Sequence, residues 1–160
     1  MGLRDAPEKT VWKKHESGEM SAHIWAPELH RIGDAWYLYF AAGAAEDVWA
    51  IRPYVLECRA EDPMEGPWRE LGMMEAADEF LSGFSLDMTV FASNGAWYCV
   101  WAEKVSVGKK ISNLYIARMK SPHSLATKQV LLCPRITTGS GLISGSMKGR
   151  LLSDGMDASA

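Results

Sequence analysis

A carboxylate, an indole and two imidazoles stand close together in His23-Ile-Trp-Ala-Pro-Glu-Leu-His30. The segment runs into Gly33-Asp-Ala-Trp-Tyr-Leu-Tyr-Phe40, where Trp36, Leu38 and Phe40 alternate with Tyr37, Tyr39 and Ala41. The arrangement recurs: Phe84-Ser-Leu-Asp87 leads into Thr89-Val-Phe91, and Asn94-Gly-Ala-Trp-Tyr-Cys-Val-Trp101 follows. A carboxylate placed just ahead of a hairpin, and repeated, gathers acids around one pocket. Such groups transfer protons, and indole faces beside them suit sugar rings.

Strands must position these groups. Alternation at period two predicts a strand over 36–41, with 29–32 as its hairpin partner across Gly33-Asp34. The second copy predicts strands over 89–92 and 97–102. Asn94-Gly95 between them favours a tight primed turn, because both residues tolerate positive φ. Further strands are expected at 54–58 and 68–73, joined by the loop Asp62-Pro-Met-Glu-Gly-Pro67, and at 113–117 and 129–132, joined by Ser121-Pro-His123. Residues 75–81 have room for one short turn. The order is hairpin, strand, loop, strand, written twice, and the turn-following Trp36 and Trp97 lie 61 positions apart. Four strands per long, regular period predict propeller blades. Two blades do not close a ring, so the expected fold is all-β and open. Trp36, Trp97 and Trp101 sit inside alternating strands and are expected in the core.

Bulk composition narrows the classes. At 160 residues the chain can bury a core, and 48% hydrophobic with 23% charged residues is ordinary globular usage. A net charge of −3 leaves no footprint for nucleic acid or an anionic membrane, and Lys109-Lys110 is too small a cluster to supply one. No apolar run approaches ~18 residues, so no membrane partner is expected. Met1-Gly-Leu-Arg-Asp-Ala-Pro7 has no apolar leader, which gives a cytoplasmic expectation. Cys58, Cys99 and Cys133 have neither metal-ligand nor disulfide-framework spacing and read as buried thiols. His23 and His30 are not a zinc pair, because Pro27 forbids the helix that would align them. Gly139 to Gly145 lacks the Gly-Lys-Ser/Thr ending of a phosphate loop. No metal or cofactor is expected.

Taken jointly, several segments resemble glycoside hydrolase family 43, and within it the α-L-arabinofuranosidase branch. They are Ile24-Trp-Ala-Pro-Glu-Leu-His-Arg-Ile32, Trp36-Tyr-Leu-Tyr-Phe-Ala41, Tyr54-Val-Leu-Glu57, Asp62-Pro63, Gly66-Pro-Trp68 and Phe84-Ser-Leu-Asp87. The resemblance covers residues 2–134. It implies a five-bladed β-propeller that hydrolyses terminal α-L-arabinofuranosyl or β-xylosyl linkages of plant cell-wall polysaccharides with inversion. It also implies three acids: a general base from the first blade, a carboxylate that tunes the acid, and a general-acid glutamate. Inversion needs two carboxyls ~6.5–9.5 Å apart so that water fits beside the sugar. A like charge nearby raises the pKa of the acid, which is the task of the third carboxylate.

By motif, Asp87 matches the tuning carboxylate; the plainer alternative is a turn cap. Glu28 either lines the substrate site or is a structural acid at its mouth. Trp25 and Trp49 are sugar platforms or interblade packing. His23 either bonds a substrate hydroxyl or is structural, and Phe84 comes with the Asp87 motif as a substrate-binding residue. Base and acid are expected outside 1–134. Partners follow from the family: an arabinose- or xylose-containing oligosaccharide, with a complementing chain as a source of further blades. Alternatives to a hydrolase, itself expected to be inactive or very weak alone, are a non-catalytic carbohydrate-binding remnant and a pseudogene product.

Residues 135–160 leave the strand pattern and are rich in Gly, Ser and Met. They read as an irregular, disordered tail in a shifted frame. Met codons end in G and Lys codons begin with AA, so Met147-Lys148 spans GAA, a glutamate codon. Met156-Asp157 spans GGA, a glycine codon. With permitted third bases the shifted frame contains Glu-Gly-Pro, the motif of the family's acid, about 60 positions after Asp87. Sequencing the DNA across Arg135 is expected to show that frame; codons that do not spell it sink the idea.

Overall fold

The computed structural model describes residues 6–47, 49–77, 83–104 and 112–133. Its organising strand is β2 (Ala35–Gly43), whose alternating residues are covered on both faces. β2 lies between β1 (Ala22–Ile32) and β3 (Arg52–Cys58), and β4 (Trp68–Met73) completes an antiparallel sheet in the order β1-β2-β3-β4. A second antiparallel sheet runs β5 (Ser85–Ser93), β6 (Ala96–Lys104), β7 (Ser112–Ser121), β8 (Ser124–Leu125), with β9 (Val130–Cys133) also paired to β7. Each strand pairs with its chain neighbour along the main path, which is how a meander follows from short turns. No helix occurs among the described residues. The all-β expectation holds, and the second sheet has five strands rather than four.

Local chemistry explains the turns. Asn94 and Gly95 both adopt positive φ, 48° and 72°, as a primed turn requires. The β3–β4 link is closed by Asp62, whose carboxylate accepts the Met64 N–H at 2.7 Å, and by the Trp68 indole donating to the Pro63 carbonyl at 2.9 Å. Gly66 is needed there because a Cβ would collide with the Cys58 thiol and the Ala60 methyl.

The sheets pack face to face. Tyr39 and Val55 from the first, with Met74 just past β4, meet Val90, Cys99 and Trp101 from the second in one buried cluster. The Tyr39 hydroxyl crosses the interface and donates to the Pro122 carbonyl at 2.6 Å. On the far face of the first sheet, Phe40, Tyr54 and Leu56 form a second cluster. The segment before β1 covers it: Trp12 packs on Phe40 with centroids 5.2 Å apart, and its indole donates to Glu70 at 2.6 Å. The far face of the second sheet is bare among the described residues. Phe91 stacks on Tyr98 there at 5.7 Å, and Phe91 and Leu114 stay exposed.

Several expectations change. β1 begins at Ala22, not at 29, because a bulged strand carries the Pro27 segment. β8 carries no sequence signal at two residues long. Trp36 is not core: its half-buried ring lies under the Arg31 guanidinium at 5.5 Å, and its indole donates to the Glu61 carbonyl. Trp101 is fully buried, and Trp97 packs against the inter-sheet cluster. Cys133 is exposed, whereas Cys58 and Cys99 are buried. Glu75, expected in a turn, forms a parallel bridge to Ser124. The 135–160 tail lies outside the described residues.

Glu57 fastens the first sheet. Its buried carboxylate, 5% exposed, accepts from Tyr37 at 3.0 Å, Arg59 at 3.0 Å and Arg69 at 2.7 Å. Burial works to raise its pKa, but these hydrogen bonds outweigh burial and hold it at about 2. A lowered carboxyl stabilises fully above its unfolded value and loses that contribution as pH falls through the folded one. Glu57→Ala is expected to cost about 2 kcal/mol at neutral pH, since it strands the buried Tyr37 donor. It should also flatten the stability curve between pH 4.5 and about 2. Urea melts across that range check both effects.

Candidate functional site

The first strand of each sheet departs from a regular ladder near its start. In β1 the register shifts twice, between Ala22 and Trp25 and between Trp25 and Glu28. His23 and Ala26 take φ of 49° and 46°. In β5 the register shifts between Leu86 and Thr89, and Asp87 takes φ of 52°. These are β-bulges, which bend a strand and re-aim a side chain. Asp and His are among the non-glycine residues that best tolerate left-handed backbone. Pro27 fits because β1 is a sheet edge, where a missing N–H breaks no interior ladder.

Antiparallel pairing brings other candidates to the same end of the molecule. Ala22 pairs with Gly43, so the β1 bulge lies beside the 44–51 link that carries Trp49. The Ser85 N–H donates to the Ile51 carbonyl and the Lys104 N–H to the Phe84 carbonyl, at 3.0 and 2.9 Å. These bonds tie the start of β5 to that link and to the end of β6. Three groupings result. The His23 and Trp25 rings pack at 4.8 Å, with Trp25 38% exposed. Glu28 bonds His30 at 3.0 Å and also the Thr89 side chain of the other sheet. Trp49, 68% exposed, lies 6.3 Å from Phe84.

Asp87 is exposed and makes no hydrogen bond or ion pair among the described residues. It is therefore open to a ligand or a further carboxyl. The nearby carboxylates Glu46 and Asp47 are occupied by backbone: Glu46 accepts the Gly18 N–H at 3.1 Å and Asp47 the Trp49 N–H at 3.1 Å. His30 and Thr89 are the partners that motif reading missed. Period two could have found the first, because Glu28 and His30 share a strand face. A cleft of about 220 Å³ lies at the opposite, hairpin end, lined by Ile32, Trp97, Met119 and Pro122, and no carboxylate lines it.

The family pattern described as glycosyl hydrolases family 43 matches residues 1–143. The chain belongs to this family. An extracellular exo-α-(1→5)-L-arabinofuranosidase of Streptomyces avermitilis is 48% identical over 125 residues, which is 78% of this chain and 25% of that protein. Another protein of the same name, from Streptomyces chartreusis, is 47% identical over 131 residues, 82% of this chain and 39% of that protein. Among solved structures, an α-L-arabinofuranosidase from Lactobacillus brevis superposes with a TM-score of 0.74 at 42% identity, covering 82% of this chain and 42% of that one. The chain thus spans about a quarter to two fifths of these relatives. The match reaches residue 143, beyond the 2–134 covered by the resembling segments.

The cytoplasmic expectation is corrected. Both Streptomyces relatives are named extracellular, which stands against it.

Burial acts to raise the Glu28 carboxyl, but the bonds from Thr89 and His30 outweigh it and leave the pKa below the ordinary value. NMR titration should place Glu28 below a free glutamate, with His30→Ala and Thr89→Val each moving it upward. Because the shift is downward, the stability it contributes is lost as pH falls through the Glu28 pKa. A Glu28 pKa unmoved by both variants would falsify the pairing.

Proposed function

We propose that this chain is part of an inverting glycoside hydrolase that releases terminal α-L-arabinofuranosyl groups from plant cell-wall saccharides. The observation that carries the reading is the matching bulge in the first strand of each sheet, in a chain of this family. At corresponding places, backbone strain turns His23 and Ala26 in one sheet and Asp87 in the other out of the ladder. Asp87 is the carboxylate whose charge keeps a neighbouring acid protonated. Trp25 and Trp49 offer flat apolar faces to furanose C–H groups, with His23, Glu28 and Phe84 beside them. The same geometry admits a β-xyloside, because nothing in it measures ring size. Location outside the cell follows the naming of the Streptomyces relatives.

In this reading the two sheets are two blades of a five-bladed propeller. The bare face bearing Phe91 and Leu114 receives a further blade, from the same polypeptide or from a complementing chain. The base and the acid belong to those further blades, and the 135–160 segment is a shifted-frame remnant of one. Without them the 160 residues have one of three acids and turn over substrate very weakly or not at all. Each missing proton-transfer group removes a factor of ~10²–10⁴.

The second reading, a non-catalytic carbohydrate-binding remnant, is favoured by the exposure of Trp25 and Trp49 at one end. Release of 4-nitrophenol from aryl α-L-arabinofuranoside and aryl β-xyloside separates the two. The chain alone is expected at background. Turnover abolished by Asp87→Ala would overturn inactivity, and calorimetric heat with arabino-oligosaccharides but no turnover would favour the binding remnant.

A further inference from the structure

We propose that Lys104 is a positioning residue that holds the Trp49 indole as a sugar platform. The proposal rests on the reading of Trp49 as a platform and adds what keeps it in place. Trp49 is 68% exposed and sits on the link between β2 and β3. An exposed indole on a link has rotamer freedom, and a ligand must remove that freedom on binding. The Lys104 ammonium lies 5.6 Å from the centroid of Trp49 and 5.6 Å from that of Phe84. One cation thus bridges two aromatic faces, each of which attracts it through its ring quadrupole.

The backbone supports this role. Lys104 donates its N–H to the Phe84 carbonyl, and Ser85 donates to the Ile51 carbonyl, so both rings hang from one hydrogen-bonded frame. Lys104 makes no ion pair among the described residues. The adjacent carboxylate, Glu103, accepts from the Trp101 indole at 3.3 Å instead. The ammonium is therefore available to the rings, while the exposed part of Trp49 remains free for sugar.

Incorporation of 5-fluorotryptophan into the full chain tests the idea without sugar, the Trp49 resonance being assigned by its loss in Trp49→Phe. Lys104→Met should move and broaden that resonance, and Lys104→Arg, which keeps the cation, should restore it. The Trp101 resonance, from the same strand, should stay in place; if it moves as far as Trp49, Lys104 merely supports β6 and the proposal is overturned. A Trp49 resonance indifferent to Lys104→Met overturns it equally. Titration with arabino-oligosaccharides gives the second readout: Lys104→Met should weaken binding about fivefold, with rescue by Lys104→Arg. Absence of binding by the unmodified chain removes the platform reading, and with it the purpose assigned to Lys104, while the fluorine spectra still decide whether Lys104 holds the ring.

Discussion

The layer between the two sheets fixes the geometry of everything at the candidate site. Tyr39 and Trp101 are wholly buried in it, and the Tyr39 hydroxyl reaches across to the Pro122 carbonyl. Burial pushes the Tyr39 phenol well above its ordinary value, so it remains a neutral donor wherever the protein is folded. Because β5 packs across β1, β2 and β3, the starts of β1 and β5 face each other. Glu28 can then meet Thr89, although they are far apart in sequence. Loosening that layer would separate Glu28 from Thr89 while leaving each sheet's own ladder intact.

The bulges set a local cost against this global order. A non-glycine residue in the left-handed region costs of order 1–3 kcal/mol and persists only where its surroundings over-determine it. His23, Ala26 and Asp87 are flanked by regular pairing on the hairpin side and by buried neighbours such as Ser21 and Met88. Rigid pairing downstream of each bulge lets His23 and Asp87 project at a defined angle. Proteins commonly place strain of this kind where a ligand has to be met.

Much of the framework was legible in the sequence because period two leaves a direct trace. Trp36 to Ala41 reads as a strand in any context, and Asn94-Gly95 specifies its own turn. The β3–β4 loop could be read from Asp62-Pro63 and Gly66, residues the geometry does require. The bulges were not legible. An extra residue in a strand changes register without changing composition, so β1 looked shorter than it is and the mates of Glu28 were missed. Trp36 misled because an indole in an alternating strand looks like core, whereas a guanidinium on one side and a carbonyl at the edge satisfy it at the surface. Asp87 was recognised through a family motif; its lack of bonded neighbours was knowable only once β5 and β6 were paired.

The unequal covering of the two outer faces has a consequence for association. Along β7, Leu114, Ile116, Arg118 and Lys120 share one face by alternation, so the bare side of the second sheet runs from apolar to basic along that strand, with Phe91 and Tyr98 level with Arg118. Two identical chains meeting there in parallel would press like charges together. Meeting in the opposite sense, they would force ammonium and guanidinium groups against Leu114 and Ile116. Either way the self-pair is penalised, whereas a different sheet with acids opposite Arg118 and Lys120 is not. On the outer face of the first sheet, among the described residues, Trp12 covers the Phe40 cluster. The two outer faces are thus unlike: one carries a segment of its own chain, and the other discriminates between its own copy and a stranger.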